Sequence, residues 1–436
     1  MRRALVAGAL AAVVAAVGFG PASSSAEPGS PDDRFVRRFA GEGIVRVDER
    51  GTATRGAGAG EAPAARSSAG GDPDLEPGFP VTTYARGGTY HAGPAINVLV
   101  TNIDSDSSLE MCATALSVGP MYCWQHTGAV VPGWGQAQAA VGAGYAGLGF
   151  PVSSNRAGLV IGHFGDLIAA RSPSGNPLPG WPIDSSNFVT SPPTLARFGG
   201  GQPVALIGEE DWALHSYRRD ATIPTGWPSA ANVGGQERHT PGTANVDGTR
   251  SVEIFTASGW TSPGVYLFGL RADGTTLPGY PVLFQGEVDT YPAIGDVDAD
   301  GALEVVVVGT DPTNPLRSAL IVFTAATGQV EGIRVLSGQV PYGTAPALAD
   351  LDQQCSGLVE IVVQTENSID VVRWNGSSFT NYPGWPRTWG VGRWIGDSSP
   401  VVGDVDGDGL PDIVFTGQVA GNSVDGFVYA YSRAGL

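Results

Sequence analysis

Short apolar runs rich in Val, Ile and aromatic residues recur from about residue 76 to the end of the chain. Gly, Pro and Asp separate them, and clear examples are residues 265–268, 305–308 and 427–431. Runs of this length and composition predict β-strands. Since no window shows the 3.6-residue period of an amphipathic helix, the chain is predicted to be all-β.

A Pro-Gly-aromatic-Pro turn marks a repeat of about 50 residues. Its full and near copies lie at residues 77–80, 132–135, 179–182, 225–228, 278–281 and 383–386, and a further copy has decayed near 328–338. Periods of this length are typical of propellers and solenoids.

Seven such periods span residues 76–436, and a ring of four-stranded sheets accommodates four to eight units. We therefore predict a seven-bladed β-propeller that is closed by pairing of its N- and C-terminal strands. In this arrangement Phe79 lies beside Tyr429 and Tyr431.

The N-terminal residues have a different composition. Residues 1–26 combine two arginines, an apolar stretch and a small-residue end, which is the layout of a secretory signal peptide. Residues 27–75 are mostly small and polar and are interpreted as a flexible linker or pro-segment. No later segment is apolar enough to span a membrane, so the mature chain is expected to be secreted, without a membrane span.

Export makes a disulfide possible between Cys112 and Cys123, which flank a predicted turn at 117–120; two unpaired buried thiols are the alternative. Cys355 is then unpaired. The net charge of −18 argues against nucleic acid as a partner and is compatible with cation binding.

Acidic loops recur in five of the seven periods. Two have alternate carboxylates, a glycine at position six and an acid at position nine: Asp296, Asp298, Asp300 and Glu304, and Asp404, Asp406, Asp408 and Asp412. Weaker copies contain Asn102, Asp104, Asp106 and Glu110, then Asn245, Asp247 and Glu253, and finally Asp350, Asp352 and Glu360, where the loop is two residues longer.

These loops and the strand pattern resemble the FG-GAP/VCBS repeats of the integrin α-subunit propeller. The resemblance spans roughly residues 76–436 and is weak over 136–182 and 190–228. It implies a calcium-binding propeller that serves in adhesion or ligand binding.

The residues themselves also favour Ca²⁺ at the two complete loops, whereas at the three weaker copies a metal site and a solvated turn both stay open. Alternate carboxylates converge when the loop curls around its glycine, and all-oxygen ligation suits this ion. A solvated acidic turn is the alternative, because Asp and Gly favour turns in any case. We expect several structural Ca²⁺ sites, each of which fixes a loop between two strands.

The aromatic residues of the turns are expected to pack between neighbouring blades, although they could instead form a sugar-binding face. The histidines show no metal-ligand spacing, and no nucleophile elbow is present. Arg218, Arg219, His215 and Tyr217 are the nearest approach to a catalytic cluster.

We therefore expect a non-catalytic module that binds an extracellular protein or glycan. The alternative is an extracellular carbohydrate-active enzyme, a polysaccharide lyase or glycosidase on the same scaffold. A quinone-dependent dehydrogenase is a further rival, against which the acidic loops argue. The sequence leaves the ligand and the oligomeric state open.

Overall fold

The computed structural model describes residues 45–47, 53–55 and 98–433. Within the last range it leaves out 105–109, 114–120, 126–128, 135–143, 153–155, 164–166, 186–188, 190, 200, 210, 212, 230–239, 259–264, 285–290, 312–313, 341–343, 354–356, 367, 389–392, 395–398, 404–409 and 420–425. The described part of the chain is all-β. No helix in it is long and apolar enough to cross a membrane.

In chain order the strands are β1 (Val45–Val47), β2 (Ala53–Arg55), β3 (Val98–Thr101), β4 (Glu110–Ala113), β5 (Tyr122–Trp124), β6 (Gly144–Pro151), β7 (Ala157–His163), β8 (Leu167–Arg171), β9 (Ile183–Asp184), β10 (Thr194–Arg197), β11 (Pro203–Gly208), β12 (Leu214–Arg218), β13 (Gly242–Ala244), β14 (Glu253–Ser258), β15 (Val265–Leu270), β16 (Val282–Phe284), β17 (Ala293–Gly295), β18 (Glu304–Asp311), β19 (Asn314–Thr324), β20 (Val330–Val335), β21 (Ala347–Ala349), β22 (Glu360–Gln364), β23 (Ser368–Trp374), β24 (Phe379–Asn381), β25 (Arg387–Thr388), β26 (Arg393–Trp394), β27 (Val401–Gly403), β28 (Asp412–Val419) and β29 (Gly426–Ser432).

These strands form seven antiparallel sheets, which we number along the chain. Sheet 1 contains β3–β5, sheet 2 β6–β9, sheet 3 β10–β12, sheet 4 β13–β16, sheet 5 β17–β20, sheet 6 β21–β25, and sheet 7 β26–β29 with β1 and β2. In most sheets, strands that are neighbours in the sheet also follow each other along the chain. There are two exceptions: in sheet 6 β25 pairs with β23, and in sheet 7 β26 pairs with β28 and β1 pairs with β29. The first strands of consecutive sheets contact each other, as β13 does with β17 and β17 with β21.

The core lies between consecutive sheets, and β18 shows why. Every residue of this strand is buried. Val305 and Val307 pack towards sheet 4, whereas Val306 and Val308 pack towards sheet 6. Because side chains of a strand alternate between its two faces, a continuous valine run is what a sheet covered on both sides requires.

Two predictions about covalent and terminal contacts have different outcomes. Cys112 and Cys123 are directly opposite each other on β4 and β5 and form the predicted disulfide. Phe79 lies outside the described residues. The N-terminal segment that pairs with β29 is Val45–Val47, which lies within the stretch interpreted as a linker.

Candidate metal sites

The acidic loops connect the first strand of a sheet to the second, and the carboxylate that starts the second strand fixes each loop. The side chains of Glu110, Glu253, Glu304 and Glu360 are at most 2% exposed. In each case Oε2 accepts a hydrogen bond from the backbone N–H of the second loop residue, at 2.6–2.8 Å. One carboxylate oxygen is thus used to hold the loop, and the other remains for a second partner.

The loop of sheet 5 brings three of its four predicted carboxylate ligands together. Asp296, Asp298 and Glu304 each offer one oxygen within 4.8 Å of the others. Gly301 has a φ of +90° and its N–H donates to Asp296 Oδ2 at 3.1 Å, which curls the loop. Asp300 accepts instead from the N–H of Ala302, at 2.7 Å, and is not part of the three-residue cluster.

This cluster has no counter-charge among the described residues. Asp296 Oδ1 is buried and has no hydrogen-bond partner there. Burial, together with the charges of Asp298, Glu331 and Asp300, raises the pKa of Glu304 to about 8. Burial also raises the pKa of Asp298. Like charges that surround a buried carboxylate and are themselves half-buried favour a bound cation or protonation, so the residues fit Ca²⁺.

The loop of sheet 6 has a different partner. The guanidinium of Arg373, on β23, donates to Asp352 and to Glu360. Its pKa is raised, since these two acidic groups outweigh the lowering effect of burial. Asp350 Oδ1 accepts from the backbone N–H of Gln353 at 2.7 Å. Arg373 therefore pairs with two of the three carboxylates that were predicted to bind calcium.

The residue opposite the loop on the third strand distinguishes these two sheets. In sheet 6 Arg373 is the register partner of Glu360. In sheet 5 the partner of Glu304 is Thr324, and in sheet 7 the partner of Asp412 is Ser432. The acidic residue that starts the second strand thus has a short hydroxyl residue as its register partner in sheets 5 and 7 and an arginine in sheet 6.

The remaining loops of the sequence prediction are less complete. In sheet 4, Asn245 closes the loop on itself, since it accepts from the Gly248 N–H at 2.7 Å and donates to the Thr249 carbonyl. Asp247 is exposed and accepts from the Thr249 N–H, at 2.8 Å. Glu253 holds this loop but does not join a cluster.

Sheet 1 contains Asn102, Asp104 and Glu110. Asp104 accepts a hydrogen bond from the side chain of Gln125, at 3.2 Å, and Glu110 Oε1 is buried without a partner among the described residues. Asp106 lies outside the described residues. So do Asp404, Asp406 and Asp408 of sheet 7, where only the buried Asp412 is described.

The aromatic residues of the Pro-Gly turns connect consecutive sheets, and their predicted packing role is confirmed. They are 4–8% exposed. Each donates its polar hydrogen to a backbone carbonyl that follows the third strand of the next sheet: Trp134 to Pro173, Trp181 to Arg219, Trp227 to Ala272, Tyr280 to Ala325 and Trp385 to Arg433, at 2.8–2.9 Å. They form no exposed sugar-binding face.

The glycine of the turn makes this close approach possible. Gly279 has a φ of +87°, and a Cβ atom there would lie 2.0 Å from the carbonyl oxygen of Thr327 in the next sheet. Only glycine tolerates both the backbone conformation and the contact.

A second cluster, at the hairpin between β11 and β12, has no counterpart in the sequence prediction except for His215 and Tyr217. Glu209 is fully buried, and burial raises its pKa to about 7. Tyr217 donates to Glu209 Oε1 at 2.8 Å, and His215 Nε2 lies 2.9 Å from Asp211 Oδ2. Burial opposes the ionisation of Asp211, but the hydrogen bond and charge of His215 lower its pKa overall.

A weak signal for this cluster exists in the sequence. Glu209 comes directly after the apolar strand Pro203–Gly208, whose residues are all buried. An acidic residue at this position is unusual, because the apolar pattern predicts that the chain is still buried there. Arg218 and Arg219 do not join the cluster, because they lie at the opposite end of β12, where the Arg218 guanidinium donates to the Ile223 carbonyl at 3.2 Å.

Comparisons with known proteins agree with this architecture. The chain is similar to the Dos1 propeller, with a TM-score of 0.50, 10% identity, and coverage of 78% of each chain. It is also similar to the rhamnogalacturonan lyase YesW, at a TM-score of 0.46 and 15% identity over 78% of this chain and 73% of that one. At these identities the likeness concerns the fold alone, and only the first score supports an argument about it.

No curated protein matches the chain by sequence. Residues 356–415 match the FG-GAP-like repeat family. The match begins just before β22 and includes the acidic loop from Asp404 to Asp412. The resemblance to FG-GAP/VCBS repeats is thus confirmed, and the chain contains an FG-GAP-like repeat within an all-β, propeller-like fold.

Proposed function

We propose that the chain is a secreted, calcium-binding β-propeller of seven blades that acts as a non-catalytic module for an extracellular protein or glycan ligand. Seven consecutive sheets, cores between neighbouring sheets and the pairing of β1 with β29 support a closed ring. The disulfide is compatible with an oxidising compartment.

The single observation behind the calcium assignment is the loop of sheet 5. Its three converging oxygens lie next to a buried, unpartnered oxygen of Asp296, and the facing residue is Thr324 rather than an arginine. Oxygen-only ligands that include several carboxylates suit Ca²⁺. The equivalent loop of sheet 7, with Asp404, Asp406, Asp408 and Asp412, is proposed as a second site on its sequence pattern.

The ion would have a structural role here. Glu304 already joins the loop to β18 through Val297, and an ion shared with Asp296 and Asp298 would fix the whole loop between β17 and β18. A rigid loop is a suitable base for a recognition surface, because binding then costs less conformational entropy.

The alternative function is a polysaccharide lyase or glycosidase, and one observation favours it. His215 and Tyr217, which the sequence suggested, meet Glu209 and Asp211 in one cluster. Against it, neither Arg218 nor Arg219 reaches that cluster.

One assay separates the two functions. The purified chain is applied to a glycan array and incubated with acidic and neutral polysaccharides, in Ca²⁺ and in EDTA. A binding module gives calcium-dependent retention with no new reducing or unsaturated ends. Release of such ends, and its loss in a His215→Gln variant, would replace the proposal with the enzyme.

A further inference from the structure

The cluster on the β11–β12 hairpin lies away from the acidic loops. Within a sheet the acidic loop precedes the second strand, whereas Glu209, Asp211 and His215 follow the second strand, β11, and precede the third, β12. Successive antiparallel strands reverse direction, so the two features are at opposite ends of the sheets. A metal at the hairpin would thus be distinct from those that the acidic loops bind.

The donors of this cluster are mixed. One atom from each of Glu209, Asp211 and His215 lies within 4.8 Å of the other two. An imidazole nitrogen beside two carboxylates suits Zn²⁺ and similar transition metals rather than Ca²⁺. His215 contacts the two carboxylates through different ring nitrogens: Nε2 lies 2.9 Å from Asp211 Oδ2, and Nδ1 lies 3.7 Å from Glu209 Oε1. A single ion would use one of these nitrogens, and zinc–ligand bonds of about 2.0–2.2 Å place neighbouring ligand atoms roughly 3.3 Å apart, a spacing that fits within the 4.8 Å spread of the cluster.

A second observation is the carboxylate of Glu209. This side chain is fully buried, yet its Oε2 accepts no hydrogen bond from any described residue. Its other oxygen, Oε1, is held by the hydroxyl of Tyr217 at 2.8 Å. An oriented carboxylate with one free oxygen is the arrangement of a metal ligand with an outer-shell partner. A carboxylate that served only packing would be expected to have both oxygens satisfied.

The cluster is reachable from solvent on one side. The side chain of Asp211 is 32% exposed and that of His215 is 12% exposed. Three protein ligands leave a tetrahedral ion one open position. From these contacts we infer that Glu209, Asp211 and His215 form a binding site for a divalent transition metal of the Zn²⁺ type, oriented by Tyr217.

The test uses the full-length chain without a histidine tag, saturated with Ca²⁺ so that the acidic loops are occupied. Titration calorimetry with ZnCl₂ measures stoichiometry and affinity, and Co²⁺ serves as a spectroscopic substitute whose visible bands report tetrahedral ligation. We expect one Zn²⁺ per chain at this site and a tetrahedral Co²⁺ spectrum.

Variants assign the site. His215→Gln and Glu209→Gln keep the size of the side chains and should weaken Zn²⁺ binding by more than about 100-fold, because each removes a ligand. Tyr217→Phe removes only the outer-shell hydrogen bond and should weaken binding by about 10- to 100-fold. Asp298→Asn, in the calcium loop, is the matched control and should leave Zn²⁺ affinity unchanged.

Two results would overturn the inference. One is an absence of Zn²⁺ binding by the folded wild-type chain. The other is wild-type affinity in both His215→Gln and Glu209→Gln. Since Glu209→Gln substitutes a buried group, circular dichroism and the partly exposed variant Asp211→Asn guard against a loss of binding that merely reflects unfolding.

Discussion

Replacement of Arg373 with methionine tests whether each acidic loop needs a cation. The substitution removes the guanidinium that joins Asp352 and Glu360 while it keeps an apolar stem of similar length. Glu360 has no exposed surface, so its charge stays buried without a partner. Loss of one member of a fully buried pair costs about 3–5 kcal/mol. Arg373 and Asp352 are 26% and 19% exposed, so solvent screens part of their interaction. We therefore expect the free energy of unfolding to fall by about 2–3 kcal/mol.

Thermal unfolding in EDTA and in Ca²⁺ is the assay. Unfolding entropy of about 2.1 cal/mol/K per residue makes the expected loss about 3–4 °C in Tm for a domain of this size. Without the arginine, the carboxylates of Asp350, Asp352 and Glu360 become available to an ion. The Tm of Arg373→Met should therefore rise more in Ca²⁺ than that of the wild type.

Arg271→Met is the matched control. Ile254 and Leu270 are register partners, so Glu253, which precedes Ile254, lies opposite Arg271, which follows Leu270. Arg271 therefore has the place in sheet 4 that Arg373 has in sheet 6. Its guanidinium donates to the backbone carbonyl of Thr276, at 2.9 Å, rather than to a buried carboxylate. We expect a smaller loss and no gain in calcium response. Equal behaviour of the two variants in both media would show that Arg373 does not take the place of a cation in this loop.

Three further predictions concern other parts of the molecule. Trp227→Phe loses the hydrogen bond to the Ala272 carbonyl and should reduce the free energy of unfolding by about 1–2 kcal/mol, measured by denaturant titration; an unchanged midpoint would contradict the packing role. The double variant Cys112→Ser, Cys123→Ser removes the cross-link between two residues that are 11 positions apart and should reduce the free energy of unfolding by about 3 kcal/mol. The oxidised and reduced wild-type proteins should differ in unfolding free energy by a similar amount. In EDTA the protein should gain stability as pH falls from 9 to 6, because the folded-state pKa of Glu304, about 8, exceeds its ordinary 4.5; this contribution is complete below 4.5 and is lost as pH rises through 8. Saturating Ca²⁺, which binds the ionised form, should weaken or reverse that dependence, and a flat Tm in EDTA would count against it.

The sequence predicted the features that depend on local chemistry. The valine run of β18, the turn around Gly279 and the convergence of Asp296, Asp298 and Glu304 each arise within about ten residues. Strand alternation, a glycine with positive φ and an acidic loop can all be predicted from a sequence window of that length. The position of Trp227 between sheets was also predictable, because its turn recurs at one place in the repeat.

Contacts across strands were not predictable in the same way. Arg373 follows Asp352 by 21 residues, and only the register of β22 and β23 reveals that it neutralises the loop. The cluster around Glu209 depends likewise on a hairpin that brings His215 back towards it. The spacing of these residues matches no metal motif. The pairing of Val45–Val47 with β29 involves a segment whose surroundings are small and polar, so its composition indicated a linker.

The number of Ca²⁺ ions that the chain binds is the decisive measurement for the proposed metal sites. Titration calorimetry of the chelator-treated full-length chain with CaCl₂ should give at least two ions per chain, one for the loop of Asp298 and one for the loop of Asp406. Asp298→Asn and Asp406→Asn should each remove one ion, and the double variant should remove both. Absence of calcium binding by the folded chain, or an unchanged number of ions in the double variant, would contradict the account.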